Sequence, residues 1–147
     1  MAITTNAITN TFKEDLLQGT QTFVAAGGDT FKLALYTSAA TIGADTTSYA
    51  AGIGGQVANT GQYAAGGGAL VTALVSVNGA TAFVDFSDLS FTGVTLTARG
   101  ALIYNDTEAG DPSVCVLDFG GDKTATAGTF TIQFPNANDT QAIIRIA

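Results

Sequence analysis

Hydrophobic and polar residues alternate with a period of two along most of this chain, and that pattern predicts strands. Residues 30–37 set Phe31, Leu33 and Leu35 against Lys32, Ala34 and Tyr36, so the first three are expected to face a core. Residues 69–77 run into Asn78-Gly79, the strongest short hairpin signal. Residues 80–86 follow, with Ala82, Val84 and Phe86 opposite Phe83 and Asp85, and a type I′ turn centred on Asn78-Gly79 is expected between the two runs. Further strands are predicted at 20–24, 94–104, 114–119, 124–134 and 141–146, separated by Gly, Asn and Asp. About eight strands at this spacing describe an all-β fold, a single-domain β-sandwich or jelly-roll-like barrel.

One short N-terminal helix departs from that pattern. Thr11 and Glu14 have the spacing of a capping box, Phe12 and Leu16 share a helix face, and Gly19 stands where a left-handed terminator belongs. The chain therefore divides into an arm and short helix over residues 1–19 and a β-sandwich domain over 20–147. In the arm, Ile3 and Ile8 are the large aliphatics among Thr, Asn and Ala, too little apolar area to offset the entropy of ordering. The arm is expected to be mobile in the free protein and to order on a neighbour. Between residues 38 and 68 the periodicity gives way to glycine and alanine, a stretch long for a connection in a compact domain. Tyr49, Ile53, Val57 and Tyr63 punctuate this excursion. They can serve as satellite core or, with Ile3 and Ile8, as contact points on a partner.

Composition narrows the function classes. Hydrophobic residues make up 46% of the 147 positions and charged residues 12%, about half the usual charged share, so the surface must be built largely of neutral residues. A net charge of −7 and five scattered basic residues weigh against nucleic-acid binding, which needs a basic patch to displace phosphate counterions. No apolar run is long enough to span a membrane, and residues 1–10 lack the features of an export signal. Cys115 is the only cysteine, which rules out an internal disulfide; flanked by Val114 and Val116, it reads as a buried, inert thiol.

Catalytic chemistry finds little foothold. Histidine is absent, and with it the usual general base and the commonest metal ligand. Asp85 with Asp88 and Asp118 with Asp122 are the nearest approaches to a carboxylate dyad, and both read better as turn caps. The runs Gly52–Gly55 and Gly66–Gly68 lack the Lys-Ser or Lys-Thr of a phosphate loop, and the acidic loop 106–111 lacks EF-hand spacing. The sequence is expected to encode no enzyme, with no catalytic, cofactor-binding or metal-binding residues.

Several segments together carry a resemblance: FKLALYTS at 31–38, TGQYAAGGGAL at 60–70, TARGALIY at 97–104, LDFGGDKT at 117–124 and GTFTIQF at 128–134. In this order they resemble small virion structural proteins of tailed bacteriophages, over nearly the whole chain after residue 30. These are strand and turn sequences rather than catalytic signatures, so the resemblance identifies a scaffold more firmly than a role. It implies a virion protein made in the host cytoplasm, with the major capsid protein or other virion proteins as partners. Small size and a polar, non-repetitive arm favour a capsid decoration, or cement, protein that bridges neighbouring capsomers. A tail, head-fibre or connector component is the alternative, and a carbohydrate-binding β-sandwich a more distant one, since the chain has no Trp on which to stack a sugar. Low surface charge also favours a homo-oligomer, with a trimer the first expectation.

Overall fold

The computed structural model describes residues 3–49 and 54–147. They form an all-β sandwich of two antiparallel sheets, eight strands in total, with one short helix. The large sheet has the order β1-β7-β6-β2-β3 and comprises β1 (Ala7–Ile8), β2 (Phe31–Tyr36), β3 (Gly68–Ala69), β6 (Leu89–Asn105) and β7 (Ser113–Ile132). The small sheet, β4-β5-β8, comprises β4 (Thr72–Asn78), β5 (Thr81–Phe86) and β8 (Ile144–Ile146). No helix among the described residues is long and apolar enough to cross a membrane.

The long hairpin β6–β7 organises the molecule, pairing from Leu89↔Ile132 at one end to Tyr104↔Ser113 at the other. Four register shifts interrupt it, and such bulges bend a ribbon that would otherwise run too long for one core. The sequence divides β7 into separate strands at 114–119 and 124–134, yet the ladder continues through Gly120 and Gly121. Gly120 takes φ +73° there, and its amide donates to Asp118 Oδ1. The glycines mark a bulge within one strand, not a turn between two.

β2 shows why both sides of the large sheet are dry. Phe31, Leu33 and Leu35 lie in the main core with Ala101, Ile103, Val114 and Cys115, as the alternation predicts. Ala34 and Tyr36, expected on the polar side, are buried as well, in a second cluster with Ile3, Ala40, Ile42, Leu102, Tyr104 and Val116. That cover comes from the N-terminal arm and the 38–68 excursion, both folded back over the outer face.

Four local expectations are corrected. The arm is not free: Ala7 and Ile8 pair with Val116 and Cys115 of β7, and Ile3 is completely buried. Helix α1 (Asn10–Gln18) is capped by Thr9, two residues before the anticipated cap at Thr11, because Thr9 is held against β7. Its amide and hydroxyl both donate to the Val114 carbonyl, and its Oγ1 accepts from the Phe12 amide. Glu14 instead accepts from Gln18 one turn on, while Gly19 closes the helix in the left-handed conformation, as expected. Residues 20–24 form no strand, since Thr22 and Asp29 close this segment into a loop whose Phe23 stacks on Phe31 at 4.3 Å. The fourth correction is the β4–β5 turn. Asn78 pairs with Thr81, so Gly79 and Ala80 are the central residues. Gly79 has φ +57° and Ala80 has no positive φ, the signature of a type II′ turn with glycine first.

Candidate interaction surface

The residues singled out as contact points mostly face inward. Val57 and Tyr63 are buried in the main core, and Ile8 packs against it. Tyr49 packs on the second cluster, which contains Ile3. Ile53 lies outside the described residues. In this structure these side chains fasten the arm and the excursion to the sandwich, the satellite role weighed from sequence.

The excursion is held by tyrosines. Tyr63 accepts a hydrogen bond from the Leu35 amide at 2.8 Å, and Tyr104 donates to the Gly66 carbonyl at 2.7 Å. Tyr49 stacks on Tyr104 with ring centroids 4.6 Å apart. Main-chain bonds add to the attachment, from Val57 to Leu35 and from Thr37 to Gly55. Burial raises all four tyrosine hydroxyls above their usual pKa, Tyr63 to about 12, so these groups stay neutral donors and acceptors. Gly67, at φ +82°, sits so close to β2 that a Cβ there would collide with the Leu33 carbonyl. A second anchor, missed from sequence, is Asn105. Its buried amide donates to Gln21 Oε1 and Asp29 Oδ2, and its Oδ1 accepts from the Thr107 amide. A single polar residue at the end of a strand, here the last of β6, does not register in a period-two pattern, so nothing in the local pattern marked it.

The carboxylates are separated by their environments. Asp118 sits 3.2 Å from the Arg99 Nε and caps the Gly120 bulge, while Asp88 accepts from the Phe134 amide. Asp85 lies in β5 instead of a turn and is fully buried. Its Oδ1 accepts from the Phe86 amide, and its Oδ2 has no hydrogen-bond partner among the described residues. Desolvation raises its pKa, while the main-chain amides of Phe86 and Ile143 pull the other way. Cys115 is buried, and burial pushes its thiol up to about 12. Among the described residues no group of three or more His, Cys, Asp or Glu is placed to hold a metal ion.

Of the large hydrophobic side chains exposed among the described residues, Leu17 of α1 and Val24 of the loop after it stand alone, and the rest cluster around the small sheet. β4 is solvent-exposed along nearly its whole length, including Leu74, Val75 and Val77, and Val71 just before it is 66% exposed. Cross-strand pairs put Val75, Val84 and Ile144 in one row, and Val77, Ala82 and Ile146 in the next, all on the core-facing side of the sheet. This face overhangs the core: Val84 and Ile144 are covered, while Val77 is 65% and Ile146 53% exposed. A shallow groove of about 130 Å³ runs beneath the overhang, between Phe12, Leu16 and Phe23 on one side and Val75, Ala82 and Ile146 on the other. The opposite side of the sheet is approached by the segment before β8, where Asn78 donates to Asp139 at 3.0 Å. The signal for this surface was present in residues 69–77, a run with no charge. Apolar character alone does not say whether a strand is central or at an edge.

No protein-family model, curated protein or solved structure matches the chain.

Proposed function

We propose that this chain is a structural protein of a tailed-bacteriophage particle, one that decorates the capsid and stabilises it by bridging neighbouring capsomers. The observation that carries the structural role is the uncharged, exposed apolar surface of β4 and its overhang. Soluble monomers seldom leave large contiguous apolar patches uncovered, and this one lies on a rigid sheet. The phage setting rests on the resemblance of the strand and turn segments. The role is non-enzymatic on this reading: Asp118 caps the Gly120 bulge, the Cys115 thiol is buried and unreactive, and Asp85 stands alone in β5 with no second carboxylate hydrogen-bonded to it among the described residues.

Imaging assembled particles with and without the chain tests the proposal. Density for the sandwich at capsomer junctions is expected, together with release of the genome at lower temperature from particles that lack it. Density confined to the tail, with shell stability unchanged, would overturn the decoration role.

A further inference from the structure

The sheet edges differ greatly in length. β1 and β3 close the large sheet with two residues each, β8 ends the small sheet with three, and β4 presents seven. The part of β7 beyond β1 is also open, but Gly120, Gly121, Asp122 and Lys123 interrupt it, the kind of feature by which natural edges resist pairing. β4 contains no charged residue, glycine or proline.

Its main chain is also oriented for pairing. In a hairpin with a two-residue loop the closing pair, here Asn78↔Thr81, exchanges both hydrogen bonds, and such pairs then alternate with non-bonded ones. Ser76↔Phe83 is therefore bonded, whereas Val75↔Val84 and Val77↔Ala82 are not. The N–H and C=O groups of Val75 and Val77 consequently point out of the sheet.

We propose that β4 pairs antiparallel with β4 of a second copy of this chain, about a two-fold axis at Ser76, so that two three-stranded sheets become one of six strands. Val75 of one copy then exchanges hydrogen bonds with Val77 of the other, and the reverse, away from the bulge between Thr72 and Leu74. The occupant is a second copy because, among the described residues, another β4 is the edge free of charge, glycine and proline that matches it in length: the open end of β7 at residues 124–132 is broken by Gly128 and by the positive φ of Ala127, and β1, β3 or β8 would leave most of β4 unpaired. The net charge of −7 does not oppose this contact locally, since β4 itself is neutral. With the axis at Ser76, residues 74–78 of each copy pair, roughly 17 Å of edge. Leu74, Val75 and Val77 of both copies then line the seam, a contact below the roughly 1,200 Å² of standard specific interfaces, so the dimer is expected to be a weak one. Sequence composition favours three copies; the edge lengths favour two. The pairing goes beyond the decoration role and stands without it.

Sedimentation equilibrium of the full chain in solution, with no particle present, is the test. A dimer is expected in the micromolar to hundred-micromolar range. Val77→Pro removes an N–H that the chain's own hairpin does not use, a position where edge strands tolerate proline, and should weaken the dimer about tenfold or more while circular dichroism stays unchanged. If that variant fails to fold, Val77→Lys places a charge at the seam instead, on a side chain already exposed. Ser76→Cys should form a disulfide-linked dimer on mild oxidation, since two residues facing each other across a non-bonded pair lie within bridging distance. Cys115 is buried and does not compete. A strict monomer, a trimer, or a Ser76→Cys protein that stays unlinked would each overturn the pairing. A monomer would point to a strand from another protein as the occupant of this edge, and would leave the decoration role to the imaging experiment.

Discussion

Asp85 and two glycines show how single positions carry free energy in this sandwich. The Asp85 carboxyl ordinarily titrates near 3.8, and burial raises that value in the fold. The native state therefore holds its proton more tightly than the unfolded chain does. Stability is lost as pH climbs from 3.8 through the raised value, and no penalty remains below that window. Asp85→Asn cannot ionise, so it should flatten this part of the pH profile. At neutral pH Asp85→Asn should be more stable than the parent, because it avoids ionising a buried carboxyl, and the difference should shrink as pH falls through that window; denaturant melts of both proteins at several pH values would check it. Gly79 and Gly67 both have positive φ but differ in their surroundings. Nothing lies within 4 Å of a Cβ at Gly79, so Gly79→Ala should cost about 1–2 kcal/mol from backbone strain alone. Gly67→Ala must also push the excursion away from the Leu33 carbonyl, and should cost clearly more than Gly79→Ala in the same denaturant titration.

Among the elements, the N-terminal arm departs furthest from the expectation of mobility. Two isoleucines looked too few to order it. What the sequence could not reveal is that the outer face of β2 and β6 is itself apolar and needs a lid, which Ile3 supplies next to Tyr36 and Leu102. Hydrogen bonds complete the docking, from the Asp118 amide to Asn6 Oδ1 at 2.7 Å and from the Thr9 amide to the Val114 carbonyl at 3.0 Å. Ile3→Ala should cost about 2–5 kcal/mol, the usual range for emptying a fully buried aliphatic site, and removing residues 1–9 should lower the melting temperature markedly. An unchanged melting temperature in both would mean that the arm is dispensable to the fold. Period-two patterning located β2, β5 and most of β6 because each is regular over several residues. It failed at residues 20–24, where side-chain hydrogen bonds to Asp29 win over strand propensity, and at Gly120-Gly121, where a bulge imitates a turn.

At the level of the whole molecule, arm, excursion and sandwich share their buried residues, so they should melt in one transition. Calorimetric and van't Hoff enthalpies that agree would show it, and a separate early transition would mean that one of the three is only loosely attached. The candidate surface was less legible than the fold, because it depends on which strand lies at a sheet edge, a long-range property of topology. The docking of the arm over β7 has one more consequence. Ile8 sits directly across from Cys115, the chain's sole thiol, whose side chain is buried in the main core, so a labelling reagent reaches that atom only when the core at this sheet edge opens. The rate at which the thiol is modified in native buffer is thus a clock for that opening, readable on the unaltered protein without an introduced probe, and a rate faster than global unfolding would mean that this edge opens on its own.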